Sequence, residues 1–210
     1  MGQEKTRLIE VLKGLPDLIG KHKRFLKLTR AEEIARRYFV MNSFDGALTV
    51  LGIILGSYVA GVREPTIILS AVLGASLAMG LSGVWGAYTA EKAERTRELK
   101  ELEAALFTNL KGTRLHKASL ATIVWLAVID GVSPVVVALT AISPFLLCLL
   151  GLLSFTFSLY ASITITILVL FILGVFLGKI SRENLILNGL KMVSAGALIA
   201  IILLTFKLLL

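Results

Sequence analysis

The chain has 210 residues, 56% of them hydrophobic, with a mean hydropathy of +0.85 and a formal net charge of +8. That composition excludes an ordinary soluble domain, and the length suits one membrane domain of a few helices with no second globular domain. The positive charge sits in segments flanking apolar spans, as a membrane surface demands, so no nucleic-acid partner is expected. Cys148 is the only cysteine and lies in an apolar run, which excludes a disulfide framework and a thiolate metal cluster.

Residues 1–37 hold ten Lys/Arg and five Asp/Glu, with Leu8, Ile9, Val11, Leu12, Leu15, Leu18 and Ile19 at helical spacing. A basic amphipathic segment lying on an anionic leaflet is expected, with a solvated tail as the alternative. No apolar h-region precedes the charges, so no cleavable signal peptide is expected.

The first predicted span, about 38–60, reads YFVMNSFDGALTVLGIILGSYVA and carries a carboxylate, Asp45, at membrane depth. At 100° per residue Asn42, Asp45, Thr49, Gly52 and Gly56 fall within about 80° of one another. One stripe is polar and small, and the rest of the cylinder suits lipid. An ionisable group at that depth points to a functional site, with a hydrogen bond made for packing as the bland alternative. A tight turn, Gly61 to Pro65, leads to a second span at about 66–89. Its many small residues, Gly74, Ala75, Ser76, Ala78, Gly80, Ser82, Gly83 and Gly86 among them, predict close helix packing in lipid. Met79 projects from the middle of one small stripe.

No helix breaker follows, so this helix is expected to run on into a cytosolic extension within 90–117. There Glu91, Glu94, Glu98 and Glu101 share one face, about 80° wide, among Lys92, Arg95, Arg97 and Lys100. The stripe either collects cations or is a solvated face laced with ion pairs. From Ala118 to Gly178 Asp130 is the only charge. Positive charge in 1–37, 90–117 and 179–191, against Arg63 alone in the first loop, favours two crossings here over three. The expected spans are about 118–142 and 156–178, turning between Ser143-Pro144 and Ser154, and a last one covers about 190–210. Five transmembrane helices result, all-α, with the N-terminus cytoplasmic and the C-terminus outside. Near the middle of the third span Pro134 deprives the Asp130 carbonyl of its helical donor. Asp130 and Ser133 are therefore a second candidate cation or proton site, or else a kink satisfied by neighbouring hydroxyls.

Asp45-Gly46, then Ser76-Leu77-Ala78-Met79-Gly80-Leu81-Ser82 leading into Ala90-Glu91-Lys92-Ala93-Glu94, resembles the vacuolar iron transporter family. LGKISRENLILNGLKMVSAGALIA, from Leu177 to Ala200, resembles that family's fourth-to-fifth helix junction. The resemblance spans 36–105 and 118–205 and implies a distant member: a homodimer that exports Fe²⁺ or Mn²⁺ from the cytosol in exchange for protons. It also implies that Asp45 and Met79 line the pathway at a dimer interface built from the first two helices. Glu91, Glu94, Glu98 and Glu101 would then receive metal on the cytosolic side. The host would be the cell membrane of a prokaryote or a vacuole-type membrane. The chain departs from the family in two ways: Ala71, Ala75 and Ser76 stand where acidic residues are common, and the cytosolic metal-binding insert is shortened.

The residues agree in chemistry. A carboxylate oxygen with a thioether sulfur is a borderline hard–soft pair, closer to Fe²⁺ or Mn²⁺ than to Mg²⁺ or Ca²⁺. One carboxylate can hold a metal ion or a proton in turn, with the metal as cargo and no permanent cofactor. Asn42 and Thr49 line the same stripe. Two other classes compete. A membrane scaffold or assembly protein would use the same small-residue packing. An intramembrane enzyme is weaker: Asp45-Gly46 begins like the CDP-alcohol phosphotransferase motif, but that motif's Arg and later aspartates are missing.

Overall fold

The computed structural model describes residues 31–209, and every element among them is an α-helix. The helices are α1 Ala31–Val59, α2 Pro65–Leu106, α3 Arg114–Leu149, α4 Phe155–Ser181 and α5 Leu185–Leu209. Each contains a window long and apolar enough to cross the ~30 Å hydrocarbon core of a bilayer. The protein is an all-α integral membrane protein with five spanning helices. Large apolar side chains point outward, as lipid accommodates: on α2, Leu77, Leu81 and Trp85 are 63%, 70% and 70% exposed. The expected amphipathic segment lies, as far as Arg30, outside the described residues.

Helix boundaries differ from expectation in three places, each with a local cause. α1 begins at Ala31 rather than 38, with Glu32 and Glu33 in its first turn, where carboxylates complement the helix dipole. The extension of α2 ends at Leu106, inside the expected 90–117. Phe107 turns to φ 50°, the Glu103 carboxylate accepts from the Leu110 amide at 2.8 Å, and the Thr113 hydroxyl then accepts from the His116 amide as α3 starts. Residues 114–117 thus belong to α3.

The third correction concerns the turn expected at Ser143-Pro144. α3 runs through both Pro134 and Pro144 to Leu149. Proline at 144 removes the amide that would serve the Thr140 carbonyl, and the Ser143 hydroxyl donates to that carbonyl instead, at 2.8 Å. The helix therefore loses little there, and the turn falls at 150–154, where Gly151 adopts φ 75°.

α4 starts at an N-cap, Ser154, whose hydroxyl accepts from the Phe157 amide at 3.3 Å, and ends at Arg182 in the left-handed conformation. Asn184 then caps α5, its Oδ1 accepting from the Ile186 and Leu187 amides at 3.0 and 3.2 Å. The two helices form a close pair because glycine lets their backbones meet. A Cβ on Gly189 would stand 2.5 Å from the Phe171 ring, and one on Gly174 would strike the Asn188 carbonyl oxygen.

The chain divides into two compact units. One joins the described residues up to Arg36 with Gly86–Ala127, and the other joins Arg37–Trp85 with Val128 onward. The larger unit holds the apolar core. Val50 and Ile54 of α1, Ile68 and Val72 of α2, Ile142 and Phe145 of α3, and Leu159 of α4 pack together there.

Candidate functional site

Within the larger unit, sequence-selected residues from the middle of α1 and α3 and from the first half of α2 approach one another. Asp45 is the central residue of α1, and Asp130 stands close to the centre of α3. Three close approaches set them there. A Cβ on Gly46 would meet Pro134 Cα at 2.9 Å, and one on Gly80 would meet the Gly131 carbonyl oxygen at 2.8 Å. One on Gly83 would lie 3.2 Å from both the Asp130 carbonyl oxygen and Asp130 Oδ2. Glycine at 46, 80, 83 and 131 thus lets the backbones of α1 and α2 reach α3, and brings α2 against the carboxylate.

Asp130 is buried, 5% exposed, and accepts a hydrogen bond at Oδ1 from Nδ2 of Asn42 on α1. Asp45, exposed on the protomer, is near enough to act electrostatically on Asp130. Among the described residues neither carboxylate has an ion pair. The Thr49 hydroxyl donates to the Met79 sulfur at 3.5 Å, which ties the polar stripe of α1 to the thioether of α2. Asn42, Thr49 and Met79 are half-buried.

The second candidate site is therefore part of the first: Asp130 joins Asn42 and Asp45 in one constellation. Ser133 does not join it. Its hydroxyl donates to the Ile129 carbonyl one turn back, so the Asp130 carbonyl, deprived of its donor by Pro134, is not served by the neighbouring serine as Thr140 is. That carbonyl faces Gly83.

On the extension of α2 the four glutamates are paired with arginines. Arg95 contacts Glu91 at 3.7 Å and Glu98 at 3.0 Å, and both Arg95 and Glu91 are buried. Arg97 contacts Glu94 at 3.5 Å and Glu101 at 3.3 Å at an exposed position. Among the described residues no three His, Cys, Asp or Glu side chains converge to hold a metal ion. The membrane-depth residues instead make two polar contacts, Asn42 with Asp130 and Thr49 with Met79.

Gly131 and the burial of Arg95 were not singled out from sequence, and Gly46 was named only as part of the Asp45-Gly46 motif. Gly131 had a signal, its place next to a membrane carboxylate. Arg95 had none, because a helical wheel does not say which charged residue is covered.

The chain is 40% identical over 173 residues to the uncharacterized protein MJ0645 of Methanocaldococcus jannaschii, a match covering 81% of this chain and 87% of that protein. No protein-family model matches the chain, and no solved structure does.

Proposed function

We propose a transport function for this chain, which belongs to one family with the Methanocaldococcus protein MJ0645: it exports a divalent transition metal, Fe²⁺ or Mn²⁺, from the cytosol in exchange for protons. The observation that carries this reading is the carboxylate pair Asp45 and Asp130, halfway along two spanning helices, with Asn42 bonded to one of them and, among the described residues, no cationic side chain paired with either. Carboxylates at membrane depth are costly and mark ion or proton pathways. Asp45 supplies a hard oxygen and Met79 a soft sulfur, a combination that suits Fe²⁺ and Mn²⁺. Thr49 holds the sulfur against the polar stripe. A carboxylate that is metal-bound facing one side and protonated facing the other exchanges the two ions.

Asp45 is exposed on the protomer, and one Asp with one Met are too few ligands for a metal. A homodimer through α1 and α2 would supply both residues twice about a twofold axis. Positive charge orients the chain with the N-terminus, the α2 extension and residues 179–191 in the cytoplasm. Of the glutamate stripe, Glu94, Glu98 and Glu101 are exposed to solution as well as paired with arginines, and Glu91 is buried beside Arg95. A scaffold role has one observation in its favour: Gly74, Ala78 and Ser82 of α2 form an exposed small-residue stripe ready for another helix.

The test is metal flux in reconstituted vesicles under an imposed pH gradient, comparing Fe²⁺, Mn²⁺, Co²⁺ and Zn²⁺. Asp45→Asn keeps the shape but cannot carry a proton on and off, and is expected to abolish pH-driven flux while the protein inserts normally. Met79→Leu keeps the volume and is expected to weaken transport of the softer ions. Flux at the parent rate in Asp45→Asn vesicles would overturn the exchange mechanism at Asp45, and no pH-driven flux in parent vesicles would overturn the transport reading, which is the outcome a scaffold predicts.

A further inference from the structure

Away from the carboxylates, one aromatic ring holds two cations that have no anionic partner among the described residues. Tyr58 stands one residue before the end of α1. The Arg63 guanidinium, from the loop that follows, lies 5.5 Å from its ring centroid and 5.9 Å from that of Phe155 at the start of α4. Lys207, in the last turn of α5, places its ammonium 4.7 Å from the same Tyr58 centroid. The ends of α1 and α5 and the loop between α1 and α2 therefore meet on Tyr58, and the start of α4 joins them through Arg63.

The loop is fixed from within. Its amides at Ala60 and Val62 donate to the Gly56 and Ser57 carbonyls at 2.9 Å, and Gly61 takes φ 76°. The backbone that carries Arg63 is thus held in place. The nearby carboxylate, Glu64, accepts from the Thr66 hydroxyl at 3.0 Å and makes no ion pair with Arg63. Among the described residues neither Arg63 nor Lys207 has a hydrogen bond or an ion pair, and both are exposed. Ring faces attract the cations but take none of their N–H donors.

Like charges drawn to one ring repel unless an anion lies between them. The ends of α1 and α5 lie at the boundary of the hydrocarbon, the level at which tyrosine concentrates and where Arg and Lys side chains reach for head groups. The anions found there are lipid phosphodiesters. The geometry points to Arg63 and Lys207, aligned by Tyr58 and Phe155, as a binding site for the phosphodiester of an anionic phospholipid. A zwitterionic lipid fits less well, because its ammonium adds a third positive charge to the two already present. A lipid held there would pin the end of α5 to the α1–α2 loop.

The test compares the thermal unfolding of the full-length protein in mixed micelles containing phosphatidylglycerol with that in micelles containing phosphatidylcholine. Phosphatidylglycerol is expected to raise the parent's midpoint by several degrees more than phosphatidylcholine does. Arg63→Gln with Lys207→Gln should lose at least half of that difference. Basic residues elsewhere on the chain are the same in both proteins and cancel in the comparison. Arg63→Lys and Lys207→Arg, which keep the charges, should retain it. A difference undiminished in the double variant would overturn the site. So would an equal rise on adding inorganic phosphate alone, since the occupant would then be a soluble anion. If the double variant does not fold, Lys207→Gln alone decides: a reduced lipid difference supports the site, and an unchanged one rejects it.

Discussion

Two serine–proline pairs in α3 look alike on paper and act differently. Ser143 donates to the Thr140 carbonyl that Pro144 has orphaned, whereas Ser133 donates to the Ile129 carbonyl and leaves the one orphaned by Pro134. Removing the first hydroxyl leaves a carbonyl without a donor in lipid, so Ser143→Ala should cost about 1 kcal/mol. Ser133→Ala should cost less, since the Ile129 carbonyl also accepts a regular helical amide. Unfolding midpoints of the two variants in one detergent measure the difference. Gly131 makes a stronger case: a Cβ there would run into the Val84 side chain and lie 2.5 Å from the Gly80 carbonyl oxygen. Backbone cannot yield as a side-chain tip does, so Gly131→Ala should destabilise by about 2–3 kcal/mol. Gly52→Ala and Gly56→Ala, which meet nothing within 4 Å, serve as neutral controls.

The α2 extension carries two ion-pair sets of different character. Arg95 is covered, with side-chain exposure of 8%, and bridges Glu91 and Glu98, whereas Arg97 is 68% exposed between Glu94 and Glu101. Removing a buried partner strands a carboxylate away from water, but removing an exposed one leaves carboxylates that solvent can serve. Arg95→Ala should therefore lower the unfolding temperature clearly, and Arg97→Ala hardly at all. High salt should not change the loss at Arg95, because covered pairs are poorly screened. Equal effects from the two variants would mean that Arg95 is not covered in solution. The sequence carried the i,i+3 and i,i+4 spacing of these charges and the continuity of the helix. Which arginine is buried depends on a neighbouring element, and no periodicity within α2 contains that information. The two ends of α3 were misplaced for a related reason. Side chains of Glu103, Thr113 and Ser143 rescue particular backbone groups, and such rescue is invisible to a hydropathy window.

The number and order of the spans followed from hydropathy and the charge of the loops, because lipid penalises every exposed polar backbone group and leaves little choice of architecture. The meeting of Asn42 with Asp130 was not legible, since a wheel gives each helix a direction but not a neighbour. The same limit bears on self-association. The small residues of α2 all promise close packing, but they divide into two sets. Gly80 and Gly83 are consumed against Gly131 and Asp130 inside the protomer, whereas Gly74, Ala78 and Ser82 remain exposed at helical spacing. If a second copy packs on α2, it uses the second set. Ala78→Leu and Ser82→Leu should then separate the protomers without unfolding them, seen as a halved mass by light scattering in mild detergent. Gly83→Leu should instead disrupt the fold, because its side chain would press on the Asp130 carboxylate and carbonyl. A dimer that survives both Ala78→Leu and Ser82→Leu places the contact elsewhere, and Asp45 would then need its further ligands from within one chain.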